Sequence, residues 1–83
     1  MITKLAPGAI IDPHEDTGDH ATYYERYHVM LQNARGSNFK CGGESCYMAP
    51  GEVYWFDNTV THSVENFSKT DRITMIVDIR VFH

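Results

Sequence analysis

Clusters of basic residues are absent from this chain of 83 residues, in which 11 acidic side chains outnumber 7 basic ones. The formal net charge is −4. Proteins that follow a nucleic-acid backbone need grouped lysine and arginine side chains to neutralise the phosphates. The scattered basic residues therefore argue against nucleic-acid binding.

Long apolar runs are also absent. The first residues, MITKLAPGAI, lack the apolar core of a signal peptide, and no stretch approaches the roughly 20 residues that span a membrane. The only cysteines are Cys41 and Cys46, too few for the disulfide framework of a small secreted protein. We expect a cytoplasmic protein without membrane contact, whose two reduced thiols flank a hairpin turn. A cross-strand disulfide or a zinc half-site is the alternative for this pair.

Helical periodicity is missing as well, since no window of about a dozen residues keeps an apolar i, i+3, i+4, i+7 pattern free of breakers. The chain instead divides into seven β-rich runs separated by Gly, Pro, Asn and Asp. These runs are Ala9–Asp12, Tyr23–Gln32, Phe39–Cys41, Ser45–Met48, Val53–Phe56, His62–Phe67 and Arg72–Phe82. Short strands joined by tight turns predict a single all-β domain over residues 1–83, an antiparallel sandwich or barrel.

The longest early run contains two polar residues that share one face. Alternation along an extended strand puts Arg26 and His28 on one side, and Tyr27 and Val29 on the other. The polar side faces either water or a polar cavity, and the pattern leaves both open.

Three side chains suggest a metal site. His14 and Asp16 form an H-x-D triplet, and alternate residues of an extended chain point the same way. His62 heads a strand 48 residues later and would complete a set of two histidines and one carboxylate. Such a set leaves positions on Fe(II) open for substrate and O₂. His20 and His83 are expected to be ordinary surface residues.

Arg72 begins the last predicted strand, ten residues after His62. Its guanidinium could reach the same cavity, where a planar fork of donors suits a carboxylate. Taken alone, Arg72 would be a plain surface arginine. Its combination with the H-x-D triplet and the late histidine favours binding of an anion.

The segment YMAPGEVYWFDNTVTHSVENFSKTDRITMIVDI, Tyr47–Ile79, resembles the C-terminal half of the aspartyl/asparaginyl β-hydroxylase family and the related free-proline hydroxylases. The matching features are the PGE turn, the FDN end of an aromatic strand, HSV-x-N and DRI-x-x-IVDI. Upstream, ERYHVML resembles the R-x-H strand of the family. The resemblance covers most of the chain from about Pro13 onward.

The resemblance implies a double-stranded β-helix, a jelly-roll or cupin-like barrel, in a minimal or truncated form because few residues precede the H-x-D triplet. It also implies an Fe(II)- and 2-oxoglutarate-dependent dioxygenase. The hydroxylated group would be an amino-acid side chain, either a peptidyl Asp or Asn or a free amino acid such as proline. The expected partner is therefore a small-molecule or peptide substrate.

Site residues follow from the same resemblance. His14, Asp16 and His62 would bind the iron, with Asp16 the least firmly assigned because some branches of the family use two histidines only. Arg72 would pair with the distal carboxylate of 2-oxoglutarate. Two further residues, Arg26 and His28, would assist at the cosubstrate carboxylates.

Other interpretations stay open. A cupin-like metal-binding barrel would need no 2-oxoglutarate, although the chain lacks the paired H-x-H and trailing Glu of that group. A degenerate barrel could serve as a non-catalytic binding module, and a homodimer could cover an open sheet edge. Among the remaining motif residues, we expect Trp55 and Phe56 to fill the core. A buried Asp78 should pair with a nearby cation.

Overall fold

The computed structural model describes residues 1–16 and 24–80. These ranges contain eight strands: β1 Ile2–Leu5, β2 Ile10–His14, β3 Tyr24–Gln32, β4 Ser37–Cys41, β5 Glu44–Cys46, β6 Val53–Trp55, β7 His62–Asn66 and β8 Arg72–Arg80. No helix among the described residues is long and apolar enough to cross a membrane. His20, His83 and the predicted strand ends at Tyr23 and Phe82 lie outside the described residues.

The strands form two four-stranded antiparallel sheets. Sheet A has the order β1-β8-β3-β6, and sheet B has the order β2-β7-β4-β5. The chain crosses between the sheets at nearly every connection, and only the β4–β5 hairpin stays within one sheet. This arrangement is an eight-stranded jelly roll, so the predicted all-β double-stranded β-helix is confirmed.

Two strand predictions were wrong. The sequence predicted seven strands and missed β1, because a four-residue run shows too little alternation, and its partner in β8 lies far along the chain. The first predicted strand was expected to end before Pro13, whereas β2 continues through Pro13 to His14. Proline is tolerated there because β2 is an edge strand with a register shift between Ile11 and His14.

The fully apolar core is small. Its buried members are Met30, Phe39, Met48 and Val64, with Leu5, Cys41, Tyr54 and Phe56 packed against them. The prediction for Trp55 was wrong, since its side chain is 56% exposed on the outer side of the edge strand β6. Beside this core a cavity between the sheets is lined by both apolar and polar side chains, and the polar ones form the candidate site.

The β4–β5 hairpin turns at Gly42 and Gly43, which have φ angles of 58° and 86°. Two consecutive positive φ values define the turn that matches strand twist, and glycine adopts them without steric cost. Cys41 and Cys46 flank this turn as predicted, and both are free thiols.

Candidate metal centre

The pairing of β2 with β7 places two histidines face to face. Ile11 pairs with Val64, and without the register shift Pro13 would lie opposite His62. The shift inserts one residue, so that His14 takes this position instead, and the two imidazole centroids lie 4.3 Å apart. The bulge in β2 therefore builds the histidine pair.

Asp16 adds a carboxylate to this pair. Its backbone N–H donates a hydrogen bond of 2.9 Å to the carbonyl of Asn58, and its Oδ1 lies 3.7 Å from His14 Nε2. The intervening Glu15 accepts a hydrogen bond from Thr61 instead. One donor atom from each of His14, Asp16 and His62 lies within 4.8 Å of the others.

The histidine tautomers suit metal binding. Nδ1 of His14 lies 2.8 Å from the carbonyl oxygen of Asp12, and Nδ1 of His62 lies 2.8 Å from that of Val60. A carbonyl oxygen only accepts hydrogen bonds, so both Nδ1 atoms carry the proton. Nε2 of each ring is then the nitrogen whose lone pair can bind a metal, and its Nδ1–H bonds to a carbonyl as in many metal-bound histidines.

The donor set fits a divalent ion. Donors about 2.1 Å from one ion lie at most about 4.2 Å apart, so small side-chain rotations would close the observed spacing. Two imidazoles and one carboxylate form the facial set of non-haem Fe(II) enzymes. His62 is 7% exposed, whereas the His14 and Asp16 side chains are 44% and 28% exposed, which leaves the centre open on one side.

All six predicted site residues line one cavity of about 160 Å³ between the sheets: His14, Asp16, Arg26, His28, His62 and Arg72. The polar face of β3 therefore looks into a cavity and not into water. Its apolar walls include Ile11, Phe39, Phe56 and Val64. The structure brings the predicted residues together; their roles as ligands and anion binders stay predictions.

Arg72 carries a buried charge in this cavity. The residue is 6% exposed, and its guanidinium donates to Thr74 Oγ1 at 3.0 Å and contacts Met48 Sδ at 3.6 Å. Burial lowers the pKa of Arg72, although a guanidinium stays protonated. Within the described residues Arg72 forms no ion pair. A buried, uncompensated cation beside a cavity is suited to an anionic ligand.

Arg26 is held by carboxylates of the protein itself. Its Nε and Nη2 donate to the two carboxylate oxygens of Asp78 at 2.8 and 3.0 Å, as expected for Asp78. The side-chain hydrogen bond to Asp78 raises the pKa of Arg26. Nη1 of Arg26 also lies 3.7 Å from Asp16 Oδ2. In this arrangement Arg26 orients Asp16, and its predicted contact with a cosubstrate carboxylate stays a prediction.

His28 is an uncharged member of the cavity. Burial, followed by the positive charges of Arg72 and Arg26, lowers the pKa of His28 to about 4. Its buried Nε2 has no hydrogen-bond partner in the part of the chain that the structure describes. A polar atom held in this way can bond to a ligand that enters the cavity.

Sequence reasoning missed two neighbours of the histidine pair. Cys41 lies opposite His62 in the β4–β7 register, so the thiol adjoins the centre. The ring of Phe56 lies 4.9 Å from the ring of His62 and 4.8 Å from that of His28, and it walls the cavity. Only the pairing of β4 with β7 places Cys41 beside His62, and this pairing cannot be read from the sequence alone.

The fold and the site thus define a jelly-roll protein in which two histidines and one carboxylate lie close enough to hold a metal ion. Residues 1–81 match the profile of the aspartyl/asparaginyl β-hydroxylases, and the chain belongs to this family. It is 29% identical over 77 residues to an L-proline cis-4-hydroxylase of Rhizobium meliloti (strain 1021) and 26% identical over 80 residues to L-proline cis-3-hydroxylase 1 of a Streptomyces species. Both matches cover 93% of this chain, which spans 28% of the length of each relative.

Solved structures support the fold. The chain superposes with a TM-score of 0.72 on a predicted oxalate decarboxylase from Thermotoga maritima, at 25% identity, over 96% of this chain and 64% of that protein. The TT1209 protein from Thermus thermophilus gives a TM-score of 0.67 at 21% identity, over 95% of this chain and 69% of that protein. The cupin-like barrel is therefore shared beyond the hydroxylases.

Proposed function

We propose that this chain is the metal-binding core of an Fe(II)- and 2-oxoglutarate-dependent hydroxylase that acts on an amino-acid side chain. The observation that carries the proposal is one cavity that combines three facing metal donors with a buried guanidinium that has no ion pair among the described residues. The family membership supports hydroxylation, and both proline hydroxylases support an amino-acid substrate. A free amino acid such as proline and a peptidyl Asp or Asn are the two substrate classes.

In this proposal, Nε2 of His14, Nε2 of His62 and the carboxylate of Asp16 hold the metal. The bound iron would supply the redox chemistry that couples oxidation of 2-oxoglutarate by O₂ to hydroxylation. Arg26 neutralises part of the Asp16 charge and fixes its direction. Hydrogen bonds from Nδ1 to the Asp12 and Val60 carbonyls would hold both rings in position with Nε2 free to bind the metal.

Arg72 would bind the distal carboxylate of 2-oxoglutarate. Ligand binding would give this guanidinium the counter-charge that it lacks among the described residues, and the low-polarity walls would strengthen the pair. His28 is neutral at physiological pH and can share a hydrogen bond with the same ligand through Nε2. Phe56 would exclude water from the side of the cavity that it covers.

The test is anaerobic addition of Fe(II) or Mn(II), with and without 2-oxoglutarate, followed by thermal unfolding and metal-to-ligand charge-transfer absorption. We expect metal to stabilise the fold and 2-oxoglutarate to stabilise it further, by about 2.7 kcal/mol at a hundredfold excess over the dissociation constant. Succinate formation with a candidate amino acid then measures turnover.

Matched variants test which side chains bind the metal. Asp16→Asn should weaken metal binding at least tenfold, whereas Glu15→Gln, one residue earlier and bonded to Thr61, should leave it unchanged. His62→Ala should abolish tight binding. Normal iron affinity in His62→Ala would contradict the assignment.

A second candidate function keeps the metal and omits the cosubstrate. It is favoured by the likeness to the predicted oxalate decarboxylase, a barrel of the same fold. Metal stabilisation without any response to 2-oxoglutarate would select it. No response to either would leave a non-catalytic binding module.

A further inference from the structure

The outer face of sheet A, the side turned away from sheet B, is apolar. The following residues point outward from its four strands: Ile2 and Lys4 of β1, Ile73, Met75, Val77 and Ile79 of β8, Glu25, Tyr27, Val29 and Gln32 of β3, and Val53 and Trp55 of β6. Only Lys4 and Glu25 are charged. Ile2, Val53, Trp55 and Ile79 are each more than half exposed.

The strand register arranges these residues in continuous rows. One row crosses all four strands as Val53, Val29, Met75 and Ile2. The next row contains Trp55, Tyr27 and Val77. The apolar side chains therefore form one patch and are not single exposed residues of the kind that every surface carries.

The outer face of sheet B shows that this pattern is not a property of the whole surface. The corresponding outward residues are Ile10, Asn38, Lys40, Ser45, Ser63 and Glu65. Lys40 and Glu65 form an ion pair of 3.1 Å across the middle of this face. Sheet B thus presents an ordinary solvated surface, whereas sheet A does not.

The size of the patch can be estimated from strand geometry. The four strands have 4, 9, 9 and 3 residues, and at about 3.3 Å per residue and about 4.8 Å between strands they cover a projected area of about 400 Å². A contiguous apolar patch of this size matches the largest patch on a typical monomer, and such patches are often interaction sites. Two such faces in contact would bury about 800 Å² or more, which corresponds to a weak and reversible association.

We propose that the outer face of sheet A is a self-association surface and that its occupant is a second copy of this chain. The two charged residues stand at opposite ends of the face, Lys4 in the row of Ile73 and Glu25 in the row of Ile79. A two-fold axis between the faces, oblique to the strands because β1 and β3 lie two positions apart in the sheet, would bring Lys4 of one copy over Glu25 of the other. The face is therefore complementary to itself in charge as well as apolar.

Trp55 provides a direct readout because it is the only tryptophan of the chain and lies within the patch. Sedimentation and Trp emission are measured together across concentrations from about 1 µM to about 500 µM, the range in which a weak interface dissociates. We expect the mass to rise from 9.5 kDa toward twice that value, with a parallel blue shift of the emission.

Two substitutions of equal chemistry test the face itself. Ile79 on sheet A and Ile10 on sheet B are 52% and 51% exposed, so lysine at either position costs the monomer about the same. Ile79→Lys should raise the dissociation constant of the dimer at least tenfold, and Ile10→Lys should change it less than twofold. A Trp55→Gln variant, followed by sedimentation alone, should also dissociate.

Charge exchange tests the orientation. Lys4→Glu and Glu25→Lys should each weaken the dimer severalfold, and the double variant should restore it. A wild-type chain that stays monomeric to the highest concentration, with unshifted Trp emission, would overturn the proposal and leave this face to a different polypeptide. Equal dissociation by Ile10→Lys and Ile79→Lys would also overturn it. None of these residues lines the metal cavity, so the outcome is independent of the proposed function.

Discussion

Sheets A and B have opposite distributions of polarity although they pack against each other in one barrel. Sheet B has a solvated outer face, and its inner face combines core residues with the two histidines. Sheet A turns Arg26, His28, Arg72 and Asp78 inward and its aliphatic and aromatic residues outward. Polar residues of the candidate site therefore occupy the inner face of sheet A, where a small barrel would otherwise have apolar core residues. We expect the polar interior to lower the free energy of unfolding, and in our proposal the outward apolar surface associates with a second copy.

The inner ion pair of sheet A should show the largest effect. Asp78→Asn leaves Arg26 with a weaker partner in a half-buried position, and we expect the free energy of unfolding to fall by about 2 kcal/mol. Urea unfolding of the metal-free protein measures this. Glu65→Gln, which removes the outer ion pair of sheet B, is the control and should cost at most about 0.5 kcal/mol. Equal losses of unfolding free energy in the two variants would contradict the difference in polarity that we describe between the inner face of sheet A and the outer face of sheet B.

Replacing the buried guanidinium should stabilise the metal-free fold. Arg72→Met removes a charge that has no ion pair among the described residues and sits near Met48 and Thr74, so the free energy of unfolding should rise by about 1–2 kcal/mol. The response to 2-oxoglutarate should disappear in the same variant. Arg35→Met is the control, because Arg35 is exposed and stacks on Tyr47. A destabilised Arg72→Met would mean that the charge is compensated in the free protein.

The pH dependence of stability should report on the inner face through His28. Its pKa is about 4 in the folded state and 6.5 when unperturbed, so the unfolded chain binds the proton first as pH falls. The stability contributed by neutral His28 is present above pH 6.5 and is lost as pH decreases toward 4. We expect a loss of about 1–2 kcal/mol, allowing for partial solvent screening. His28→Gln should flatten this part of the profile for the metal-free protein, and an unchanged profile would contradict the burial argument.

Much of the fold could be read from the sequence because strand alternation and turn residues are local signals. The Gly42-Gly43 hairpin and the long strand β3 have such signals, and the structure contains both. The strand β1 and the passage of β2 through Pro13 have no local signal, since each depends on pairing with a distant strand. The prediction that Trp55 fills the core was wrong for the same reason, the lack of a local signal. An aromatic residue in a strand indicates a packed surface, and the alternation of β6 alone does not say which surface is packed within the chain.

Sequence alone determined the residue types of the site, because H-x-D, a late histidine and a following arginine carry their chemistry wherever the chain places them. It also determined that Arg26 and His28 share a face, since the period of a strand is two. The tertiary structure decided the rest. A one-residue bulge set His14 and not Pro13 opposite His62, and the pairing of β4 with β7 brought Cys41 beside them. Register and sheet order also decided that the polar side of sheet A faces inward, because these depend on pairings between residues far apart in the chain.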